Sequence, residues 1–431
     1  MLLILAGVSI ATLTGPNGLL TRANDAKTEM GKAGAKEKVQ VEVAGSYDNS
    51  GNLDKDMLNK NLENVEGLTS GTPITGFPAT VVVDGYEVTI DGNGNVTVEE
   101  ITPPTTTPPT TAVDKETIFQ DPNSSNKEAV IPEGFKVSEK PEEQKIDKGL
   151  VVIAPDGSEF VWVPVDKTSL CVDGIADKEV AEIASGTDYR GQLYNFSGTT
   201  SSKKAYTSDG YREPAYLTSS TSGDANTSEG HNTIGITQEL LQNEYNGIIN
   251  SIKEHGGFYI GRYESSLSDS SATTVATTGH IQSKKGIMPT SAENEGTKTW
   301  YGLYKKQKEY ATEINKQYQT KVKSGMIYGS MYDAVMNWAL YGTDKTDANK
   351  VTASSTKHGP EKTGALESDV IKNIYDLGNN LREWTAEAIY ASNRVLRGGH
   401  YDYADSPSTR NDDFDPSYPY SNFCSRSLLY L

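Results

Sequence analysis

The residues with the clearest capacity for chemistry lie near the C-terminus, in the segment His400–Phe423, which we call the tail. Its sequence is HYDYADSPSTRNDDFDPSYPYSNF. Tyrosine offers rigid contact area with little loss of entropy, and Ser, Asn and Asp offer adaptable hydrogen bonds, which is the mixture found in antibody binding sites. The candidate ligand-binding residues are His400, Tyr401, Asp402, Tyr403, Asp405, Ser408, Arg410, Asn411, Asp412, Asp413, Phe414, Asp415, Ser417, Tyr418, Tyr420, Ser421 and Asn422.

The charge of the tail indicates what it could bind. Five aspartates stand against a single arginine, Arg410, so we expect an acidic face and a neutral or basic partner. The aspartates could also coordinate Ca²⁺, but they lack the spacing and the closing glutamate of an EF-hand loop. A structural calcium ion therefore stays open as an alternative, and the sequence indicates no other cofactor and no other metal site.

The tail uses a restricted set of amino acids. From His400 to Leu431 the chain contains no Lys, Glu, Gln, Met or Trp. When the adenines of an asparagine codon, AAY, are replaced by any base, these five residues cannot be reached, whereas every residue of the tail can. The composition is therefore what adenine-directed mutation of asparagine codons would produce. An ordinary surface loop rich in Asp, Tyr and Ser is the alternative.

The rest of the chain excludes several kinds of chemistry. The 58 acidic and 40 basic residues give a net charge of −18, which disfavours binding to nucleic acid or to anionic lipid. The two cysteines, Cys171 and Cys424, cannot form a four-thiolate zinc site or a disulfide framework. The sequence shows no Walker loop, no HExxH motif and no order of Ser, His and Asp typical of a hydrolase.

The elements before the tail must anchor and position it. Residues 1–13 are strongly apolar but reach only about 20 Å as a helix, less than the roughly 30 Å core of a bilayer. A polar helical segment follows, up to residue 45. Residues 46–100 predict a small α/β head with one helix at 54–65 and strands at 79–83, 86–90 and 95–98, joined by Asp84-Gly85 and Asn93-Gly94 turns.

Residues 101–148 predict a spacer. The run TPPTTTPPTT at 102–111 favours extended polyproline II, and the charged sequence at 114–148 indicates partial disorder. A large domain follows at 149–431. It opens with a hairpin of strands at 150–153 and 160–165, and a loop-rich insertion spans 168–236. Further elements are helices at 238–255, 301–315 and 330–340 and strands at 257–264 and 394–399.

Five motifs of this domain occur in an order that carries a resemblance: FVWVP, GFYIGRYE, AVMNWA, DLGNNLREWT and RVLRGG. In this order they resemble the formylglycine-generating, or sulfatase-modifying factor, branch of the C-type lectin fold. The resemblance implies an α+β, loop-rich fold over 149–431. It also implies that Trp338 and Trp384 are core anchors, and we expect Arg397, Gly398 and Gly399 to be scaffold. Formylglycine-generating enzymes use two cysteines in the C-terminal segment to bind copper. Only Cys424 lies there, so we predict that the chain is not an enzyme.

The position and alphabet of the tail resemble the variable region of diversity-generating retroelement target proteins. In that class, adenine-directed mutagenesis rewrites the end of a gene for a C-type lectin domain. We expect the scaffold to hold the tail as irregular backbone, with 425–431 as an unvaried last strand. The N-terminal helix and head resemble Gram-positive type IV pilin-like proteins, and we expect further apolar residues encoded upstream of Met1.

These resemblances predict a surface-displayed receptor or adhesin of a bacterium, encoded by the host or by a prophage, and anchored in the membrane or a pilus. Its partner would be a protein or glycan on another cell, a phage or a host surface. Two alternatives remain at this point. One is a minor pilin or tip adhesin with a fixed ligand, and the other is an oxidase of the formylglycine-generating type.

Overall fold

A computed structural model describes residues 19–100, 104–122, 124, 128–165, 235–274, 276, 278–290, 299–340, 360–388, 393–402, 410–417, 419 and 421–431. The chain divides into two compact units, unit 1 at Met1–Pro103 and unit 2 at Pro104–Leu431. Both combine helices with open β-sheets, so the fold is mixed α and β, compatible with the predicted α+β class.

In its described part, unit 1 combines two helices with a four-stranded antiparallel sheet. Its elements are α1 (Leu19–Ala44), α2 (Lys55–Leu62), β1 (Leu68–Ser70), β2 (Ala79–Val83), β3 (Tyr86–Ile90) and β4 (Val96–Glu100). Asp54 caps α2 by accepting hydrogen bonds from the backbone N–H groups of Asp56 and Met57. Strands β2 and β3 meet at Asp84-Gly85, where both residues have positive φ, as a type I′ hairpin turn requires.

Buried side chains of α1 and α2 pack on alternate residues of the sheet, including Val81 and Val88. The predicted helix and three strands are confirmed. Strand β1 is an addition, because three residues are too few for a periodic pattern. The apolar segment 1–13 lies outside the described residues. Among the helices that the structure describes, none has both the length and the apolar character needed to cross a bilayer.

Unit 2 contains two larger sheets with helices packed against them. Its elements are β5 (Thr117–Gln120), β6 (Glu128–Ile131), β7 (Lys136–Val137), α3 (Ile146–Gly149), β8 (Val151–Ile153), β9 (Glu159–Pro164), α4 (Gln238–His255), β10 (Gly257–Gly261), β11 (Ser266–Leu267), β12 (Ile281–Gln282), α5 (Trp300–Tyr318), β13 (Lys323–Met326), α6 (Gly329–Leu340), β14 (Arg382–Ala388), β15 (Arg394–Arg397), β16 (Arg410–Phe414), β17 (Phe423–Ser425) and β18 (Ser427–Tyr430).

The first large sheet has six strands in the order β13-β18-β10-β9-β8-β7. The last strand of the chain, β18, therefore lies inside the sheet, with Leu428 opposite Ile260 on one side and Gly325 on the other. The second sheet has the order β16-β15-β14-β17, in which β14 and β17 run parallel. Because β17 and β18 follow the tail directly, the chain enters and leaves the tail through sheet strands.

The three long helices of unit 2 confirm the predicted ones. Helix α4 begins after Thr237, whose side chain accepts a hydrogen bond from the Leu240 N–H, and it ends at Gly256, which has φ of 79°. Helices α5 and α6 begin one residue earlier than predicted, and α5 extends to Tyr318. The predicted insertion at 168–236 lies outside the described residues, except for 235 and 236.

The prediction of a spacer at 101–148 differs from the structure. Residues 104–148 belong to unit 2 and form β5, β6, β7 and most of α3. Phe119, Ile131 and Phe135 are buried in the same core cluster as Trp162 of β9. Short apolar groups separated by charged and proline residues carry this packing, and neither the helical nor the strand period identifies them. The large domain therefore begins near Pro104 rather than at 149.

The two predicted tryptophan anchors differ in burial. Trp384 is 1% exposed and belongs to the main core cluster, whereas Trp338 is only partly buried at the edge of this cluster. The predicted scaffold role of the RVLRGG segment agrees with its packing. Arg397 is fully buried over the ring of Tyr332, and Gly398 has φ of 77°. A Cβ atom at Gly398 would lie 2.7 Å from the Leu377 carbonyl oxygen, so only glycine fits there.

Candidate functional site

The two ends of the tail meet at residues 380–382. The Tyr401 N–H donates to the carbonyl oxygen of Asn380 at 3.0 Å, and the Arg382 N–H donates to the carbonyl oxygen of Asn422 at 3.0 Å. The side chains of His400 and Asn422 also approach each other, with 3.3 Å between Nε2 and Nδ2. The tail therefore leaves and rejoins the core at one place, which we call the tail base (380–382, 400–401 and 422).

A buried carboxylate holds the core side of the tail base. Glu264 is fully buried, and its two oxygens accept hydrogen bonds from Asn380 Nδ2 at 2.5 Å and from the Leu381 N–H at 2.8 Å. Burial, together with the nearby Asp376 and Glu383 carboxylates, raises the pKa of Glu264. The cost of burying this group is offset by two short hydrogen bonds that fix residues 380 and 381.

A second buried group lies between strands β17 and β18. Arg426 is fully buried, and its Nε donates to Glu383 Oε1 at 2.9 Å. It also donates to the carbonyl oxygens of Gly261 at 3.0 Å and Tyr375 at 2.8 Å, so its guanidinium joins β10, β14 and the final strands. Asp376 is also buried, and burial raises the pKa of its carboxyl to about 7. The buried Arg426 and Glu383 side chains lie in the core and rigidify the strands that support the tail.

We expected the tail to be irregular backbone, but its middle contains a strand. Residues Arg410–Phe414 form β16, antiparallel to β15, with Asn411 opposite Leu396 and Phe414 opposite Arg394. Three steps on β16 thus span two steps on β15, which is a β-bulge that places Asp412 and Asp413 opposite the single residue Val395. Sequence reasoning missed this strand, because its sequence, RNDDF, contains no β-branched residue.

Aromatic packing fixes the second half of the tail. The half-buried ring of Phe414 stands edge-on to Phe423 at 4.8 Å, and Phe423 stands edge-on to Trp384 at 5.4 Å. The carbonyl oxygen of the buried Pro416 accepts a hydrogen bond from the Trp300 N–H at the start of α5. Phe414, one of the predicted ligand contacts, therefore packs against the core with part of its surface and stays half-exposed.

The remaining predicted site residues occupy several environments. Asp402 and Ser421 are exposed, and Tyr401 is half-buried. Asp415 accepts hydrogen bonds from the N–H and the hydroxyl of Ser417 at 2.8 and 2.7 Å, which closes a local turn. Only the backbone of the strand residues Arg410, Asn411, Asp412 and Asp413 is described. Tyr403, Asp405, Ser408, Tyr418 and Tyr420 lie outside the described residues.

The surroundings of His400 favour its neutral form. Burial lowers the pKa of His400, and the positive charge of Arg382 lowers it further, whereas Asp402 acts in the opposite direction. Two donors face the ring, the Asp402 N–H at 3.3 Å from Nδ1 and the Asn422 Nδ2 at 3.3 Å from Nε2. A neutral imidazole can accept from one of them, whereas a protonated imidazole has two N–H groups and can accept from neither.

The part of the chain that the structure describes contains no group of three or more His, Cys, Asp or Glu residues arranged to hold a metal ion. The calcium alternative stays untested, because Asp405 and the side chains of Asp412 and Asp413 are not described. Cys424 is buried, and burial raises the pKa of its thiol. Cys171 lies outside the described residues, so its distance from Cys424 is not defined.

A second polar cluster lies beside a surface cavity of about 620 Å³. His280 stands between Asp156 and Glu313, with 3.8 Å from Nε2 to Asp156 Oδ2 and 3.8 Å from Nδ1 to Glu313 Oε2. The Asp156 carboxylate, 3.8 Å from the ring, raises the pKa of His280. Because opposite sides of the ring face the two carboxylates, one ion cannot bridge all three groups, and the cluster is best described as a surface ion network.

Sequence reasoning found the tail but missed the residues that hold it. Glu264, Arg382 and Arg426 lie in three separate segments, and nothing in their local pattern links them. Asn380 had one available signal: it belongs to the Asn-Asn pair of DLGNNL, and asparagine tolerates the left-handed backbone found there.

No family model matches the chain, and no curated protein matches it at a significant level.

Proposed function

We propose that this chain is a surface-displayed ligand-binding protein and that its tail, residues 400–423, is a binding face diversified by a retroelement. The observation that carries the proposal is that the two ends of the tail meet within a stretch of restricted composition. Residues 388–431 contain no Lys, Glu, Gln, Met or Trp, and inside this stretch His400 and Asn422 approach each other and close the tail base. Because its ends are held at the tail base and β16 pairs with β15, the exposed side chains of the tail can change while the backbone that carries them stays in place.

The finer fold assignments belong to the same proposal. Unit 2 would be a C-type lectin-like domain of the formylglycine-generating type, supported by the ordered motifs and by the last strand, β18, lying inside the sheet. Unit 1 would be pilin-like, supported by a 26-residue helix packed on an antiparallel meander. With the apolar segment before it, this unit would anchor the protein in the membrane or a pilus at a bacterial cell surface.

A binding role fits the chemistry of the described residues better than an oxidase role. A two-thiolate Cu(I) site needs sulfurs that ionise readily and lie close together. The pKa of the Cys424 thiol is raised by burial and by the nearby Glu264 and Glu383 carboxylates, which favours a neutral thiol that packs as a small apolar group. The partner would be a protein or glycan, neutral or basic in character, because aspartates dominate the tail.

A second candidate is an adhesin or minor pilin with a fixed ligand. Pro416 and Phe423 are buried and Phe414 is half-buried, although all three belong to the restricted segment. Free variation at these positions would remove core contacts in many copies of the protein. This packing favours either a fixed tail or diversification that is confined to the other tail positions.

Sequencing the gene neighbourhood separates the two candidates. Diversification requires a near-repeat of the tail coding region, with adenines at the variable positions, and a reverse transcriptase gene nearby. We expect both within the same locus. A locus with neither would rule out retroelement diversification and leave the fixed-ligand adhesin.

A further inference from the structure

Asn380 contacts several separate segments of unit 2. Its side chain donates to Glu264 Oε2 at 2.5 Å and accepts from the Glu361 N–H at 2.8 Å, and its carbonyl oxygen accepts from the Tyr401 N–H at 3.0 Å. The residue is 4% exposed. It therefore connects the end of β10, the segment at 361 and the first residues of the tail, without offering its own amide to solvent.

The backbone conformation at Asn380 also restricts which residue types fit at this position. Its φ of 61° lies in the left-handed region, where most residues other than glycine and asparagine are strained. Glu264 binds both the Asn380 side chain and the Leu381 N–H, so this carboxylate fixes two consecutive residues. The direction of the Asn380 carbonyl, which receives the first tail hydrogen bond, follows from this fixed geometry.

We propose that Asn380 is a positioning residue for the binding face, acting through Tyr401. Together with Glu264 it sets the point and the direction in which the tail leaves the core, and thereby where Tyr401 and Asp402 stand toward a ligand. The role of Asn380 in ligand binding rests on the proposed function. The structural part of the inference, that Asn380 holds Tyr401 in place, can be tested without any ligand.

Exchanging the two partners gives a matched set of variants in the full-length protein. In Asn380→Asp the amide donor is lost, and two carboxyl oxygens face each other in a buried contact. Adding Glu264→Gln restores a donor, because the new Gln amide can donate to the Asp carboxylate. Asn380→Gly keeps the left-handed backbone accessible while removing the side chain, so it tests the same contact in a variant expected to fold.

The readout is hydrogen exchange of the Tyr401 amide, measured relative to the Trp162 amide, which donates to the Leu150 carbonyl oxygen at 3.0 Å in the sheet. We expect Asn380→Asp and Asn380→Gly to speed exchange at Tyr401 at least tenfold more than at Trp162. We expect the double variant Glu264→Gln/Asn380→Asp to return Tyr401 to within about threefold of the native rate. General destabilisation would instead raise both rates in parallel.

Parallel changes at Tyr401 and Trp162, or a double variant no better protected than Asn380→Asp, would overturn the proposal. Global unfolding of Asn380→Gly would also overturn it, because Asn380 would then be a folding residue rather than a positioning residue. The failure of the proposed function is a separate result. It would appear as an invariant tail in the gene, with the exchange pattern of Tyr401 unchanged.

Discussion

The imidazole of His400 and the side-chain amide of Asn422 lie 3.3 Å apart although 22 positions separate them in the chain. Between them the chain forms the strand β16, a bulge and a turn, and then returns to its starting point. The core side of this junction is made by Asn380 and Arg382, whose backbone groups bind one end of the tail each. Through this junction, the tail with its restricted amino-acid composition is attached to the sheet that contains β14.

The protonation of His400 should loosen this junction. Folding lowers the pKa of His400, so its contribution to the free energy of unfolding is present above the unfolded value, near 6.5, and is lost as the pH falls through the folded value. A protonated imidazole cannot accept the Asp402 N–H or the Asn422 amide, and the new charge lies near Arg382. We expect the Asp402 amide to exchange faster as the pH falls through the lowered pKa of His400, beyond the intrinsic change with pH.

The matched control for that titration is His400→Gln, which keeps a polar side chain but does not titrate near neutral pH. Its Asp402 amide should show only the intrinsic pH dependence of exchange. An NMR titration of His400 that gives a pKa above 6.5 would contradict the environment described for this residue.

Asp376→Asn should stabilise unit 2 at alkaline pH. Burial raises the folded pKa of Asp376 from 3.8 to about 7, so the folded state holds this proton more tightly than the unfolded chain does. The free energy of unfolding therefore falls as the pH rises from about 4 to 7, and the full penalty applies above that range. The difference between the two pKa values corresponds to about 4 kcal/mol as an upper limit.

Asparagine suits this position because its Oδ1 can still accept the Gly364 N–H, which lies 2.7 Å from Asp376 Oδ2, and because φ there is 61°. Thermal melts at pH 5 and pH 8 test the prediction, with the exposed Asp402→Asn as the control. The variant should gain more stability over the native protein at pH 8 than at pH 5, where roughly 40% of the ionisation penalty already applies. Equal effects at both pH values would show that ionisation of Asp376 is not the cause.

Tail and scaffold side chains should separate in their effect on stability. Trp384→Ala removes a ring that is 1% exposed and packs on Phe423, and it should cost roughly 3–5 kcal/mol. Asp402→Ala and Ser421→Ala change exposed tail residues and should stay within about 0.5 kcal/mol. Urea unfolding of the three variants measures the difference. Losses at Asp402 and Ser421 comparable with that at Trp384 would place the exposed tail in the core.

The boundary of unit 2 should be visible in fragments. A fragment of residues 104–431 retains Phe119, Ile131 and Phe135 and should fold, whereas a fragment of residues 149–431 loses them. It also loses Glu143, whose carboxylate is 2.7 Å from the buried Arg262 guanidinium. Circular dichroism melts compare the two fragments. An equally cooperative melt of the shorter fragment would show that residues 104–148 are dispensable.

Much of the scaffold follows from local sequence, and the support of the tail does not. Helix α4 was predicted with both ends correct, because Thr237 and Gly256 are specific capping residues. The packing of residues 104–148 was not predicted, because their apolar groups contact partners far away in the chain. The bond between Glu264 and Asn380 joins positions 116 residues apart. No periodicity encodes such a pair, so its role appears only in three dimensions.

The measurement that tests the account most directly is deep sequencing of this gene across a large population of cells that carry it. We expect substitutions concentrated in codons 400–423, at positions that are adenine in a nearby template repeat. Codons for Asn380, Arg382 and Trp384 should stay constant, and substitutions should be depleted at Pro416 and Phe423, which are buried. A tail no more variable than residues 380–399 would contradict the claim that it is a diversified binding face.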